Sequence, residues 1–541
     1  MIISGKATAQ RTQQLAARHP GLVYNPLGGQ SAGSTGLVVS QAGFGGYRIE
    51  AGNETHQEAL RHALRQGINL IDTSSNYADG RSEELVGLVV GELVKSKELA
   101  REEIVVVSKA GYLQGENYLR AVQRKEAGNP FPNIVKYAQG LDHCIHPEFL
   151  EDQLTRSLER LNLDCIDVYL LHNPEYYLSW AHRTGIALGE ARKEYYRRIK
   201  LAFAHLETEV ARGRIQVYGI SSNTFPSPAT DPKFTSLANV WEIAEEMGRG
   251  LTRKNTDEEK ESAESGQSFD KRSFDRLRIR RDHHFQVVQW PMNLLETGAV
   301  TERNQPDGSS ALALAQTKGL AVLVNRPLNA IKGESLTRLA DVLPPSYPTN
   351  SGEVSTAVIR CLQLEEQFHH QFLPAVDTDT ETQKQLQEYL AVGLMLQGRW
   401  GSFGTYQNWR DVHGRFLLPR LQNAIHFLSS LPKPPPGLLE WLEGYVAAVN
   451  DVLGAVGAFY QAQAAADVKV LRGTAVLAEP DWQADTLSQI AIRALRSTAG
   501  VTSVLVGIRR PNYVDDVTAE LKRPVEIKER NETWENLKHE T

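Results

Sequence analysis

The chain has 541 residues, enough for two or three ordinary domains or for one large α/β barrel with additions. Hydrophobic residues make up 41% and charged residues 23%, which excludes a disordered chain and leaves ample material for a core. A formal net charge of -6 argues against nonspecific binding to nucleic acid or anionic lipid, and no apolar run approaches the roughly 18 residues that span a membrane.

The first 49 residues contain no Asp or Glu but carry Lys6, Arg11 and Arg18. That bias resembles an organelle transit segment and makes import the alternative to a cytoplasmic location. The cytoplasmic expectation rests on Cys144, Cys165 and Cys361, which lie far apart without a CxxC pair and fit a reducing compartment. Residues 36–46, GLVVSQAGFGG, read as a turn and then a strand ending in glycines, where backbone can approach a ligand closely. THQEALRHALRQG (55–67) reads as a helix with Ala59, Leu60, Ala63 and Leu64 on one face and Gly67 past its end. The strand NLID follows, then a helix from about Ser82, then the strand IVVVSK (104–109). Short spacing of this kind marks a parallel sheet with right-handed crossovers.

Residues 113–146 interrupt the rhythm with a polar, Gly/Pro-containing segment longer than a usual loop. Leu150, Leu154, Leu158 and Leu161 then line a helix ending at Asn162, and CIDVYLLH is a buried strand ending in His172. Helices over about 194–212 and 233–248 lead to the strands IQVYGISSN and FQVVQ. The intervening residues 249–282 are dense in charge and read as a solvated insertion. A helix over 311–316, the strand LAVLVNRPL and, much later, SVLVG (503–507) complete eight strands. The fold expected is a (β/α)8 barrel over 20–332 and 481–525. Residues 333–480 read as a mostly helical inserted subdomain, with proline clusters at PPSYP and PKPPPG. Its clearest stripe is Leu438, Trp441, Leu442, Tyr445, Val449, Val452, Val456 and Tyr460.

In such a barrel the site gathers at the carboxyl ends of the strands. Those ends offer Asp72 with Tyr77, Lys109 and His172. A phenol titrates near 10, so Tyr77 exchanges a proton at neutral pH only if a neighbouring cation favours the phenolate. Lys109 is placed to be that cation, Asp72 to hold it, and His172 to hydrogen-bond a substrate oxygen. Each has a bland reading alone: a turn cap, a packing tyrosine, a surface lysine, a core histidine. Four compatible groups at convergent strand ends favour chemistry. HCIH (143–146) lacks a second ligand pair, so no metal site is expected.

GFGGY, NLIDTSSNYADGRSEE, VVVSKAG, LEDQLTRSLERLNLDCIDVYLLHNPE, GRIQVYGISSN and VVQWPMNLLE, in this order, resemble the aldo-keto reductase superfamily, with matches over about 36–332 and 484–521. The resemblance implies a barrel that binds NADPH, with NADH as the alternative, without a Rossmann domain. It implies that Tyr77 is the general acid/base, that Lys109 and Asp72 tune it, and that His172 orients the carbonyl of a small aldehyde, ketone or sugar. By the same resemblance Ser221, Ser222, Asn223 and Gln289 hold the nicotinamide carboxamide, and Gly45, at the glycine-ended first strand, is a cofactor-binding position. Gly507, Arg509, Tyr513 and Asp516 belong to the segment around the adenosine end, where Arg509 suits a 2′-phosphate. After strand seven, Asn325, Arg326, Pro327 and Leu328 stand where many relatives carry an aromatic that stacks on the nicotinamide. The segment after GIRRPNYVDD is short and charged, so substrate selection falls to the insertions at 113–146 and 333–480, which begin on the catalytic face; 249–282 falls on the opposite one. The alternative is a nicotinamide-binding redox sensor or scaffold whose helical insert binds a partner protein.

Overall fold

The computed structural model describes residues 2–28, 35–249, 283–332, 335–347 and 349–540. Its centre is a closed barrel of parallel strands. They are β1 (Ala42–Gly45), β2 (Leu70–Asp72), β3 (Val105–Ala110), β4 (Ile166–His172), β5 (Ile215–Ser221), β6 (Phe285–Pro291), β7 (Ala321–Asn325) and β8 (Ser503–Val506). Each pairs with the next in chain order, and β8 closes on β1 with Val504 opposite Ala42. The (β/α)8 expectation therefore holds. Of the stretch 249–282, residues 250–282 lie outside the described residues.

β3, β4 and β6 are buried at every position, as parallel strands covered on both faces must be. Alternate residues point inward, and Val105, Val107, Val168, Leu170, Val217, Val287 and Leu323 form one apolar cluster. Leu27, Leu37 and Val39 join that cluster from an antiparallel hairpin, Tyr24–Pro26 with Val38–Ser40. The single strand expected within 36–46 is thus two, a hairpin strand and β1. Between them the Ser40 hydroxyl donates to the Ala42 carbonyl at 2.7 Å, a turn with no Gly or Pro to mark it.

Where β5 meets β6 the register shifts between Tyr218 and Gly219. A Cβ at Gly219 would lie 1.8 Å from the Val287 carbonyl oxygen, so only glycine lets the strands approach. Gly219→Ala is expected to cost about 3 kcal/mol or more, read as a lowered denaturant midpoint.

The outer helices follow their apolar stripes. Glu54–Arg65 buries Ala59, Leu60, Ala63 and Leu64 behind an Asn53 N-cap, and Pro147–Leu161 ends at Asn162 with φ 56, the left-handed conformation Asn tolerates. The segment read as an irregular interruption is ordered: a helix, Gly115–Glu126, and the strands Tyr112–Leu113, Leu141–His143 and Val135–Ala138 in a three-stranded antiparallel sheet. Strands of two to four residues are too short for an alternating pattern to emerge. The charged tail also folds, as the helix Asn531–Glu540, whose Trp534 packs on Trp482 at 5.2 Å.

By contacts the chain divides into two units. The first runs through Leu328 and takes in Ala478–Asp485 and the chain from Gln489 on; the second comprises Asn329–Leu477 and Thr486–Ser488. The second unit is helical apart from a hairpin, Asn329–Lys332 with Ser335–Arg338. Its longest helix, Leu438–Ala478, has 41 residues and so runs about 60 Å. Every residue of the predicted stripe from Leu438 to Tyr460 is buried there. Trp441 stacks between Phe368 at 4.8 Å and Tyr445 at 5.0 Å, and its indole N–H donates to the Leu364 carbonyl at 3.0 Å. Trp441→Ala is expected to remove about 3–5 kcal/mol from this unit, checked by chemical denaturation.

Candidate active site

β2 delivers Asp72 as its last residue, β3 delivers Lys109, and β4, β5 and β7 end in His172, Ser221 and Asn325. These ends converge on one hydrogen-bonded chain. The Ser221 hydroxyl donates to Gln289 Oε1 at 2.8 Å, and Gln289 Nε2 donates to Asp72 Oδ1 at 2.8 Å. Asp72 in turn accepts from Lys109 Nζ at 2.8 Å, which also donates to the Thr73 carbonyl at 2.8 Å and reaches the Tyr77 hydroxyl at 3.4 Å. Lys109 is fully buried and Asp72 nearly so, so the ion pair works in a low dielectric where each partner needs the other. Tyr77 opens a tight turn, Tyr77–Gly80, in which Ala78 and Asp79 take positive φ of 48° and 58°. That strained turn is tied down by the Glu116 backbone N–H, which donates to the Asp79 carboxylate at 3.1 Å.

The expectation that Tyr77 titrates nearer neutrality does not hold. Burial pushes the phenol well above its ordinary 10, and the Asp72 carboxylate and Tyr47 push the same way. The Lys109 charge is held by Asp72 and Thr73 instead, and burial lowers its own pKa against the pull of Asp72. Tyr77 is therefore a protonated phenol at neutral pH, a donor rather than a phenolate. His172 is driven well below its ordinary value by burial, by Lys109 and by His143, so its imidazole is neutral. Its Nδ1 lies 3.0 Å from the Ser74 hydroxyl, and its ring meets Tyr77 edge-on at 5.9 Å. The arrangement supplies a neutral acid, a neutral hydrogen-bonding imidazole and a buried cation in one place.

The residues expected around a nicotinamide divide. Ser221, Gln289 and Asn325 join the chain, with Asn325 Nδ2 3.5 Å from Gln289 Oε1. Strand alternation turns Ser222 away, to Thr224 at 3.2 Å. Asn223 is exposed, and its backbone N–H donates to Glu175 at 2.8 Å. Arg326, with φ 56, reaches Glu296 at 2.8 Å, while Pro327 and Leu328 are buried in the turn after β7. Gly45 is buried, and a Cβ there would meet the Val506 carbonyl oxygen at 3.1 Å; a Cβ at Gly507 would meet nothing. Burial lowers the His56 pKa, and the charges of Arg509 and Arg510 add to that against Glu50, which places both guanidinium groups near His56 after β8. Tyr513 is exposed, and the Asp516 carboxylate accepts from Gln489 at 2.7 Å.

Two observations test whether a nicotinamide cofactor fits. Asn325 Oδ1 is buried without a hydrogen-bond partner among the described residues, which leaves an acceptor at the end of β7 for a carboxamide N–H. Arg509 and Arg510 immediately precede the helix Pro511–Leu521, two cations at a helix N-terminus, which suits phosphate. The residues present fit the group.

Several residues at the site were not singled out by pattern. Ser74 sits on His172, and Tyr47 stands edge-on to Tyr77 at 5.3 Å. Tyr112 stands edge-on to His172 at 4.8 Å and accepts from Asn173 at 2.6 Å. Glu175 is buried at the end of the β4 loop, and burial raises its carboxyl to about 7. Their one sequence signal was adjacency: each lies within three residues of Tyr77, Lys109, His172 or the β1 glycines.

Lysine, aspartate, tyrosine and histidine thus meet at the strand ends of a closed barrel. Residues 42–228 match the aldo/keto reductase family. The chain is 31% identical over 148 residues to the NADH-specific methylglyoxal reductase of Escherichia coli, a match covering 26% of this chain and 40% of that protein. It is 27% identical over 150 residues to a probable voltage-gated potassium channel subunit beta of Arabidopsis thaliana, covering 27% of this chain and 37% of that one. A solved aldo-keto reductase of Bacillus halodurans in its holo form aligns at TM-score 0.30 and 17% identity, over 62% of this chain and 77% of that one.

Proposed function

We propose that the chain is an NADPH-dependent oxidoreductase that interconverts a carbonyl group and an alcohol. The observation that carries this reading is the unbroken chain from Ser221 through Gln289, Asp72 and Lys109 to a protonated Tyr77. A bound nicotinamide supplies the hydride. Ser221, Gln289 and Asn325 hold its carboxamide, and Arg509 holds phosphate. His172 donates a hydrogen bond to the substrate carbonyl, and the Tyr77 hydroxyl gives its proton to the oxygen as negative charge develops there. Lys109, fixed by Asp72 and Thr73, stabilises the phenolate left behind. NADH is the alternative cofactor, in keeping with the name of the Escherichia coli relative.

The second reading is a nicotinamide-linked binder of another protein. It is favoured by the similarity to a potassium channel subunit and by exposed apolar side chains on the second unit, Leu343, Tyr347 and Leu477, each about four-fifths exposed. One assay separates the two: NADPH oxidation against methylglyoxal, other aldehydes, ketones and aldoses, beside a fluorescence titration of NADPH. Turnover supports the enzyme; tight binding without turnover supports the binder.

The two perturbed groups set a pH profile for reduction. Tyr77 acts as an acid, and its raised pKa keeps it protonated past pH 10, so activity is lost only as pH rises through that higher value. His172 acts neutral, and its lowered pKa keeps it so below pH 6.5, so the acid limb falls lower still. The expected profile of kcat is flat between about pH 6.5 and 10.

A further inference from the structure

The HCIH run lies outside the hydrogen-bonded chain from Ser221 to Tyr77, yet each of its polar residues has a defined place. His146 caps the helix Pro147–Leu161, its Nδ1 accepting from the Glu148 backbone N–H at 3.4 Å. Cys144 is buried, its backbone N–H donating to the Gly111 carbonyl at 2.8 Å and its thiol to the Pro132 carbonyl at 3.3 Å. His143 turns inward instead. It ends the strand Leu141–His143, opposite Tyr112, and its Nε2 lies 2.7 Å from the main-chain carbonyl oxygen of His172.

A carbonyl oxygen only accepts, so His143 Nε2 carries the proton. Burial takes this imidazole down to about 4, which keeps it a neutral donor across the working range. Independent packing converges on the same carbonyl. A Cβ at Gly111 would lie 2.3 Å from His172 O and 2.6 Å from His143 Nε2, so the contact leaves no room for a methyl group. Tyr112 stands edge-on to both rings, at 4.8 Å from His172 and 5.7 Å from His143, and Tyr176 stacks on His143 at 5.4 Å. His172 is thereby held at its ring by Ser74 and Tyr112, and at its backbone by His143.

We propose that His143, carried by the 113–146 segment, is a positioning residue: its Nε2–H clamps the His172 main-chain carbonyl and so aims the His172 imidazole at the substrate carbonyl beside Tyr77. The inference rests on the reading of His172 as the group that orients the carbonyl. It also gives the 113–146 segment a task that reaches past the pocket wall, into the alignment of the reacting group. A misplacement on the order of 1 Å at such a group lowers turnover about a hundredfold.

The test compares His143→Phe, which keeps a ring but removes the donor, with His143→Gln, which restores an amide donor. Turnover is measured with NADPH and the panel aldehyde the wild type reduces fastest, NADPH affinity by fluorescence, and the His172 imidazole by its nitrogen NMR resonances. In the Phe variant kcat is expected to fall about tenfold to a hundredfold with NADPH affinity within about twofold of wild type and the His172 resonances shifted. The Gln variant is expected to recover most of both. A Phe variant with wild-type kcat and unmoved resonances overturns the clamp. If the wild type reduces no carbonyl at all, the oxidoreductase reading fails on its own, and the resonances still decide the clamp. Should the Phe variant not fold, Gly111→Ala carries the test: its methyl would enter the same contact, and wild-type kcat in that variant overturns the proposal.

Discussion

Tyr77→Phe is expected to lower carbonyl reduction by about 10² to 10⁴, the usual worth of a positioned general acid, while leaving the fold and NADPH affinity intact. The reason lies in how little else the hydroxyl does. Its contact with Lys109 is long, at 3.4 Å, whereas the ring keeps its edge-on partners Tyr47 and His172. Removing one oxygen therefore deletes the proton donor and little packing. Steady-state kinetics beside a thermal melt check both halves of the expectation. A fall in melting temperature matching the loss of activity would point to misfolding rather than lost chemistry.

Lys109→Met is expected to have the larger combined effect. It strips the counter-charge from a buried Asp72 carboxylate and the donor from the Thr73 carbonyl, at a cost of about 3–5 kcal/mol in stability. It also removes the cation that stabilises the Tyr77 phenolate, so turnover is expected to fall at least as far as in Tyr77→Phe. The stability half has an internal control. Adding Asp72→Asn to Lys109→Met neutralises the stranded carboxylate, so the double variant is expected to be more stable than Lys109→Met alone, by denaturant midpoint. An additive double variant would mean that the two charges are not coupled.

The barrel was legible because its strands are long apolar runs at regular spacing. VVVSKA and IDVYLLH are buried throughout, and Lys109, next to last in the first, and His172, last in the second, stand out against them. The same contrast identified Asp72, Lys109 and His172. What stayed hidden is what depends on tertiary approach. Nothing in GISSN says which serine faces the site; β5 alternation turns Ser221 to Gln289 and Ser222 to Thr224. The sign of the Tyr77 shift was hidden for the same reason. A nearby lysine favours the phenolate, but here Asp72 and Thr73 share its charge and the burial of the phenol outweighs it. The contact His143 makes was invisible because its partner is a main-chain carbonyl 29 residues away, and no side-chain pattern records a carbonyl. The stripe from Leu438 to Tyr460 was read correctly because a long helix repeats its signal over many turns.

Tyr77, protonated at the ends of the barrel strands, is proposed to deliver a proton during hydride transfer to a carbonyl. The most direct test is the rate of NADPH oxidation by wild type and Tyr77→Phe, side by side, against a panel of aldehydes, ketones and aldoses, with NADPH binding measured on both. Substrate-dependent oxidation by the wild type is expected, with a loss of about 10² or more in the variant at equal NADPH affinity. NADPH bound equally by both, with no carbonyl turned over faster by the wild type than by Tyr77→Phe, would contradict that role.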